Sequence, residues 1–198
     1  MKFTHHANRS NPDVTEWTFD ASKTYDNTDE YRPKPVGLWL SVDDGWFDWC
    51  KSERPEWLKG PEFEFTVDRS RILVIDTIGK LEVFNEVYAK PHGTGFFRFF
   101  PESDELWPFN INWKPLTEKY AGIMFAPYFH QRRWTGFYEG IDCASACVWD
   151  LTAVTCVGRL PQRPVPKSRY EEEEVDITSL ERGKIGDKEN ETPSVKES

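Results

Sequence analysis

The chain has 198 residues, a formal net charge of −9 and 30% charged residues. No apolar run approaches the ~18 residues that a membrane-spanning helix needs, the 4 Cys are too few for a disulfide scaffold at this length, and the negative balance argues against polyanion binding driven by counterion release. The hydrophilic average, a mean hydropathy of −0.68, is offset by 9 Trp, 7 Tyr and 14 Phe, because each buried ring removes ~150–250 Å² from water.

Residues 2–7 have the pattern of a short first strand, and residues 8–35, rich in Asn, Asp, Thr and Pro, that of a loop. Residues 36–41 read as a buried strand. Asp43-Asp44-Gly45 marks a turn in which Asp43 or Asp44 is the expected helix N-cap. Trp46, Trp49 and Cys50 then recur at helical spacing, and Pro55 ends that helix by 54. Over 62–67, Phe63, Phe65 and Val67 alternate with Glu62, Glu64 and Thr66. That is the period of a half-buried strand with the glutamates outward. Residues 72–75 form an apolar, β-branched central strand. A helix starts near Thr77 with Leu81, Phe84 and Tyr88 on its apolar side. Residues 96–100 are a short apolar run and 101–108 a loop.

A second short helix opens at 112 and ends near 120. A strand is expected at 122–126, a loop at 129–140, and further strands at 146–150 and 154–157. The tally is a mixed α+β domain of six or seven short strands with two or three short helices. From 161 the composition changes to Pro161, Pro164, Pro166, a run of four Glu at 171–174 and a single aromatic, Tyr170. Such a segment buries too little apolar surface to offset its ordering entropy. The expected organisation is a folded domain over 1–160 and a disordered acidic tail over 161–198. The N-terminus has no apolar signal-like stretch, so a cytoplasmic location is expected.

No phosphate-binding Gly loop, dinucleotide fingerprint, HExxH or GxSxG motif occurs. Cys143, Cys147 and Cys156 with His130 have weak spacing for a metal set, and buried thiols are the preferred reading. His5 and His6 are adjacent on a strand, so they face opposite ways and only one enters a given pocket. Such a His bonds a ribose hydroxyl or serves as a base near neutral pH. The segment from His130 to Trp134 joins Arg132 and Arg133 to an indole, a pattern suited to phosphate or nucleobase contact, or simply a solvated loop. Glu139 and Asp142 precede a late strand. A carboxylate there, near aromatic walls, stabilises a developing cation or accepts a hydroxyl hydrogen bond, or forms a turn.

In this order the pieces resemble the ADP-ribosyltransferase superfamily. Phe3-Thr4-His5-His6 resembles the first strand of its H-Y-E branch, whose His holds the NAD ribose. Lys34-Pro35-Val36-Gly37-Leu38-Trp39-Leu40-Ser41 is similar to the family's G-x-Y-[FL]-[AS] second strand, with Trp39 where an aromatic stacks on nicotinamide. The stretch from Phe65 to Thr77 with Leu81 and Phe84 is similar to a phrase common in bacterial and phage members. Tyr120-Ala121-Gly122-Ile123 resembles their Y-D-G-I step.

The resemblance implies a split mixed sheet and NAD as substrate. It implies ribose contact by His5 or His6, a nicotinamide wall of Trp39 and Ser41, and Glu139 or Asp142 as the acid. Arg133 or Arg132 would meet the pyrophosphate or the acceptor, an unidentified protein or nucleic acid. Trp134 or Tyr138 would join Trp39 in lining the cleft. Two rival readings are a non-catalytic nucleotide- or protein-binding module on the same fold and a nucleic-acid-modifying transferase or phosphotransferase.

Overall fold

Alternating β-branched and aromatic residues build seven strands in the computed structural model, which describes residues 1–7, 16–28, 32–89 and 110–165. They are β1 (Phe3–His6), β2 (Leu38–Val42), β3 (Glu62–Val67), β4 (Ile72–Ile75), β5 (Gly122–Phe125), β6 (Ser145–Val148) and β7 (Val154–Arg159). Among the described residues three α-helices accompany them: α1 (Gly45–Glu53), α2 (Ile78–Tyr88) and the single turn α3 (Lys114–Thr117). The architecture is α+β, and no helix among the described residues is long and apolar enough to cross a membrane. The apolar run at 96–100, the loop at 101–108 and residues 166–198 of the expected tail lie outside the described residues.

One sheet runs in the order β4-β5-β6-β2-β1-β3-β7. Only β4 and β5 are parallel, and α2 lies in the long connection that a parallel pair requires. The sheet divides at its middle. β1 pairs with β3 from Phe3 to His6, and β2 pairs with β6 from Leu38 to Ser41. Between β1 and β2 only Phe3↔Val42 and Thr4↔Ser41 are in register.

Both faces of the sheet are covered. One carries Phe3, Leu38, Leu40, Phe65, Met124 and Val148, with Trp17 and Phe19 of the first loop packed against them. The other carries Ile75, Ile123, Phe125 and Cys147 beneath Leu81 and Phe84 of α2, Trp113, Phe137 and Tyr138. This explains why β5 and β6 are buried at every position and show no alternation. Trp46, Trp49 and Trp57 form a separate half-buried stack, with centroids 5.1, 5.9 and 5.8 Å apart.

The expected start of α2 is present: the Thr77 hydroxyl accepts the Lys80 N–H at 3.2 Å. The expected cap of α1 is not. Asp44 stands at the N-cap but its side chain accepts no bond from the helix's own N–H groups, and Asp43 adopts a positive φ of 51°. The Ser41 hydroxyl instead accepts the Trp46 N–H at 2.9 Å. The segment 129–140, expected as loop, holds two 3₁₀ turns, His130–Arg132 and Gly136–Gly140. The second buries Tyr138 completely, and its hydroxyl accepts the Phe129 N–H at 3.0 Å. Tyr138 is therefore core, and Trp134, 53% exposed, is surface.

Glu62 is the sharpest departure from pattern. The alternation assigns it to solvent, yet it is 5% exposed. Its register partner is His6. Beyond β7, Arg163 donates from Nε to Glu62 Oε2 at 3.1 Å and from Nη2 to Oε1 at 2.8 Å. It also reaches Asp44 at 2.8 Å and lies 3.7 Å from the centroid of the Phe47 ring. Gln162 adds a bond to the Leu58 carbonyl at 3.1 Å. The first residues of the expected tail are thus docked on the domain, because a forked guanidinium is what makes a buried carboxylate tolerable.

Breaking such a pair from one side leaves an uncompensated buried charge. Arg163→Ala is expected to lose ~2–3 kcal/mol of unfolding free energy in urea titrations. The double variant Glu62→Gln/Arg163→Ala is expected to recover part of that loss.

Candidate functional site

The place where β1 and β2 part is a cleft of about 400 Å³. Its position follows from the register: past Thr4↔Ser41 no ladder joins the two strands, so side chains of both sheet faces meet in the gap. The volume falls within the range of small-molecule sites. His5, His6, Trp39, Ser41 and Asp142 all line it, so both histidines, and not one alone as expected, border the same cleft where the strands part. Glu139 and Arg133 do not belong to the lining.

The two histidines differ, as their opposite facing requires. His5 Nδ1 is 2.9 Å from the Trp39 carbonyl oxygen. A carbonyl only accepts, so Nδ1 carries a proton in this contact. This side-chain bond bridges the two strands where the backbone ladder has ended. The His5 ring lies 5.0 Å from Trp17, which in turn lies 4.7 Å from Phe63. The His6 side chain is 5% exposed, with Nε2 3.7 Å from Glu62 Oε2. Burial, first, holds its pKa down at about 4; Glu62 opposes this, and Arg163 and His5 reinforce it. Its Nδ1 has no hydrogen-bond partner among the described residues. His6 is therefore a neutral, packed residue at neutral pH, and His5 is the one placed across the split.

Trp39 is half-buried, and the Lys34 ammonium stands 5.6 Å from its ring centroid. Ser41, 7% exposed, uses its hydroxyl on the N-terminus of α1, accepting from Trp46 and donating to the Asp43 carbonyl at 3.4 Å. It contributes shape rather than a polar handle. Asp142 follows the Gly136–Gly140 turn and pairs with Lys34 at 3.9 Å. Of the two late acids it is the one at the cleft. Arg133 lies 4.4 Å over Trp134, and Arg132 is paired with Glu82 of α2, so neither cation reaches the cleft lining.

Cys143 also lines the cleft. Burial, then the Asp142 charge, pushes its pKa up to about 12. Burial pushes the Cys147 thiol up as well. Both are neutral thiols at neutral pH, which removes them as nucleophiles. Among the described residues no three His, Cys, Asp or Glu converge as a metal site. Cys50, Cys143 and Cys147 are buried as small apolar residues, and Cys156 is half-buried.

Several lining residues have no role that sequence pattern alone assigns: Lys34, and from the first loop Trp17, Phe19, Lys23 and Tyr25. A signal was present. Trp17 and Phe19, two residues apart within a polar loop, are out of place unless they pack against something. Together the arrangement offers aromatic faces, two carboxylates (Asp20 and Asp142), two lysine ammonium groups and two histidines, with no activated thiol.

The His6 environment has a measurable consequence. Its folded pKa, about 4, lies below the ordinary 6.5. Between those values the unfolded chain takes up the proton more readily, so this contribution to stability is complete above pH 6.5 and is lost as the pH falls through 4. Urea midpoints are expected to drop between pH 6.5 and 4, and His6→Gln is expected to flatten that part of the profile. Comparison of the chain with family models, with curated proteins and with solved structures finds no match.

Proposed function

We propose that this protein is an NAD-dependent ADP-ribosyltransferase acting on a macromolecular acceptor, protein or nucleic acid. The observation that supports the reading is the meeting of His5 from β1, Trp39 from β2 and Asp142 from just before β6 around one cleft. These three come from distant parts of the chain. They also stand in the order His, aromatic, acid that the resemblance implies.

The chemistry asks for little beyond position and charge. NAD brings a ribose C1–N bond whose leaving group is neutral nicotinamide. Trp39 supplies a flat face for the nicotinamide ring. His5, whose Nδ1 donates to the Trp39 carbonyl, orients the ribose from the gap between β1 and β2. Asp142 places a negative charge where positive charge develops on the sugar, and the surrounding aromatic walls lower the local dielectric that screens it. As the C1–N bond breaks, its electron pair leaves with nicotinamide. The acceptor's lone pair bonds to C1, and the acceptor's proton departs.

One observation favours a second reading, a nucleotide-binding module without catalysis. Asp142 is already paired with Lys34, which neutralises the charge the reaction would use. The two readings separate in one experiment. On the enzymatic reading the full chain binds NAD by calorimetry and releases nicotinamide. Trp39→Ala weakens binding about tenfold, in line with a lost stacking face. Asp142→Asn lowers kcat by about 10²-fold with little change in KM. Binding without nicotinamide release supports the module, and no heat with no thermal shift at millimolar NAD overturns both.

A further inference from the structure

Lys34 lies inside the cleft, on a path prepared for it. A Cβ added at Gly140 would fall 2.5 Å from Lys34 Cε and 3.3 Å from Cγ, so glycine at 140 is what lets the lysine stem lie flat. The stem carries the ammonium to 5.6 Å from the Trp39 centroid and 3.9 Å from Asp142 Oδ2. An indole face and a carboxylate are both partners for a cation, and one charge satisfies the two together. The Lys34 and Asp142 side chains are 42% and 35% exposed, so the pair faces the cleft and its solvent. The same cleft repeats the motif in its first loop, where Lys23 Nζ lies 5.1 Å over Tyr25.

We infer that Lys34 is the resident cation of the Trp39–Asp142 part of the cleft: it holds the place beside Trp39 and Asp142 that a planar aromatic cation of the pyridinium type would take, and such a ring binds by displacing it. Two positive charges cannot share one carboxylate without repulsion. An exposed ammonium–carboxylate pair is weakly held. A flat cation that both stacks on the indole and meets the carboxylate makes the better use of the same two groups. Lys34 is then the residue that sets how strongly the cleft prefers a charged ring to a neutral one. The inference rests on the proposed reading only in that the nicotinamide end of NAD is one such cation.

The test compares two probes of nearly the same shape, cationic 1-methylnicotinamide and neutral nicotinamide, titrated into the full chain by calorimetry. Lys34→Met is expected to bind the cation about fivefold tighter, with neutral nicotinamide changed less than about twofold. Lys34→Gln is expected to behave alike and serves if Lys34→Met does not melt near the wild-type temperature. An equal gain for both probes overturns the inference, as does no gain for the cation or no binding of either probe. ADP-ribose is the control for phosphate contact: if Lys34→Met weakens ADP-ribose and leaves the cation unchanged, Lys34 is a phosphate ligand and the inference falls. Nicotinamide release from NAD is scored separately. A cation-specific gain without release sustains the role of Lys34 and sinks the transferase reading; release with no change in charge preference does the reverse.

Discussion

The rest of the structure depends on the backbone ladder between β1 and β2 ending after two residue pairs. Each strand is fully paired on its other side, so neither frays when they part. A sheet that opens at an edge exposes unpaired donors and acceptors. Here it opens in its middle, and a side chain takes over: His5 Nδ1 meets the Trp39 carbonyl at 2.9 Å. That bond satisfies a backbone acceptor that the missing ladder would leave exposed in the gap. The cleft follows from this one geometric fact, because residues of both sheet faces are brought to a common opening.

Holding a sheet open in its middle requires that both halves be stable on their own. The aromatic content supplies this. Phe125, Phe137, Tyr138 and Trp113 are almost fully buried on one face, and Trp17 and Phe19 pack against Phe63 and Phe65 on the other. The β1-β3-β7 half has a second brace. Arg163, just beyond β7, crosses to Glu62 on β3 and to Asp44 ahead of α1. A salt bridge this enclosed contributes modestly in net terms, because desolvation offsets most of its attraction. Its value lies in specificity: an unpaired Glu62 beside His6 would be costly in any other arrangement of the chain end. The same burial keeps His6 neutral.

Charge in the cleft is arranged in partnered sets rather than as a field of one sign. Lys34 stands with Asp142 and Trp39, and Lys23 with Tyr25. The net charge of the whole chain therefore says little about what the cleft holds. The cations singled out by composition, Arg132 and Arg133, are engaged with Glu82 and Trp134 outside it. The cations at the cleft, Lys23 and Lys34, come from the first loop and from its junction with β2.

Local pattern determined the elements. Period-two apolar residues specify β3, a β-branched run specifies β4, and Thr77 followed by Leu81 and Phe84 specifies α2 and its cap. These rest on contacts between near neighbours, which any stretch of chain carries within itself. Local pattern also determined that His5 and His6 face apart, since adjacent strand residues must. Only the tertiary structure decided which of them spans the split, that Asp142 rather than Glu139 lines the cleft, that Tyr138 is core, and that Ser41 caps α1. It alone placed Lys34 over Trp39 and buried Glu62. The reason is distance along the chain: Glu62 is explained by Arg163, 101 residues later. His5 is explained by Trp39, 34 residues later. Periodicity measures which face a residue takes within its own element, and carries no information about what the fold brings to that face.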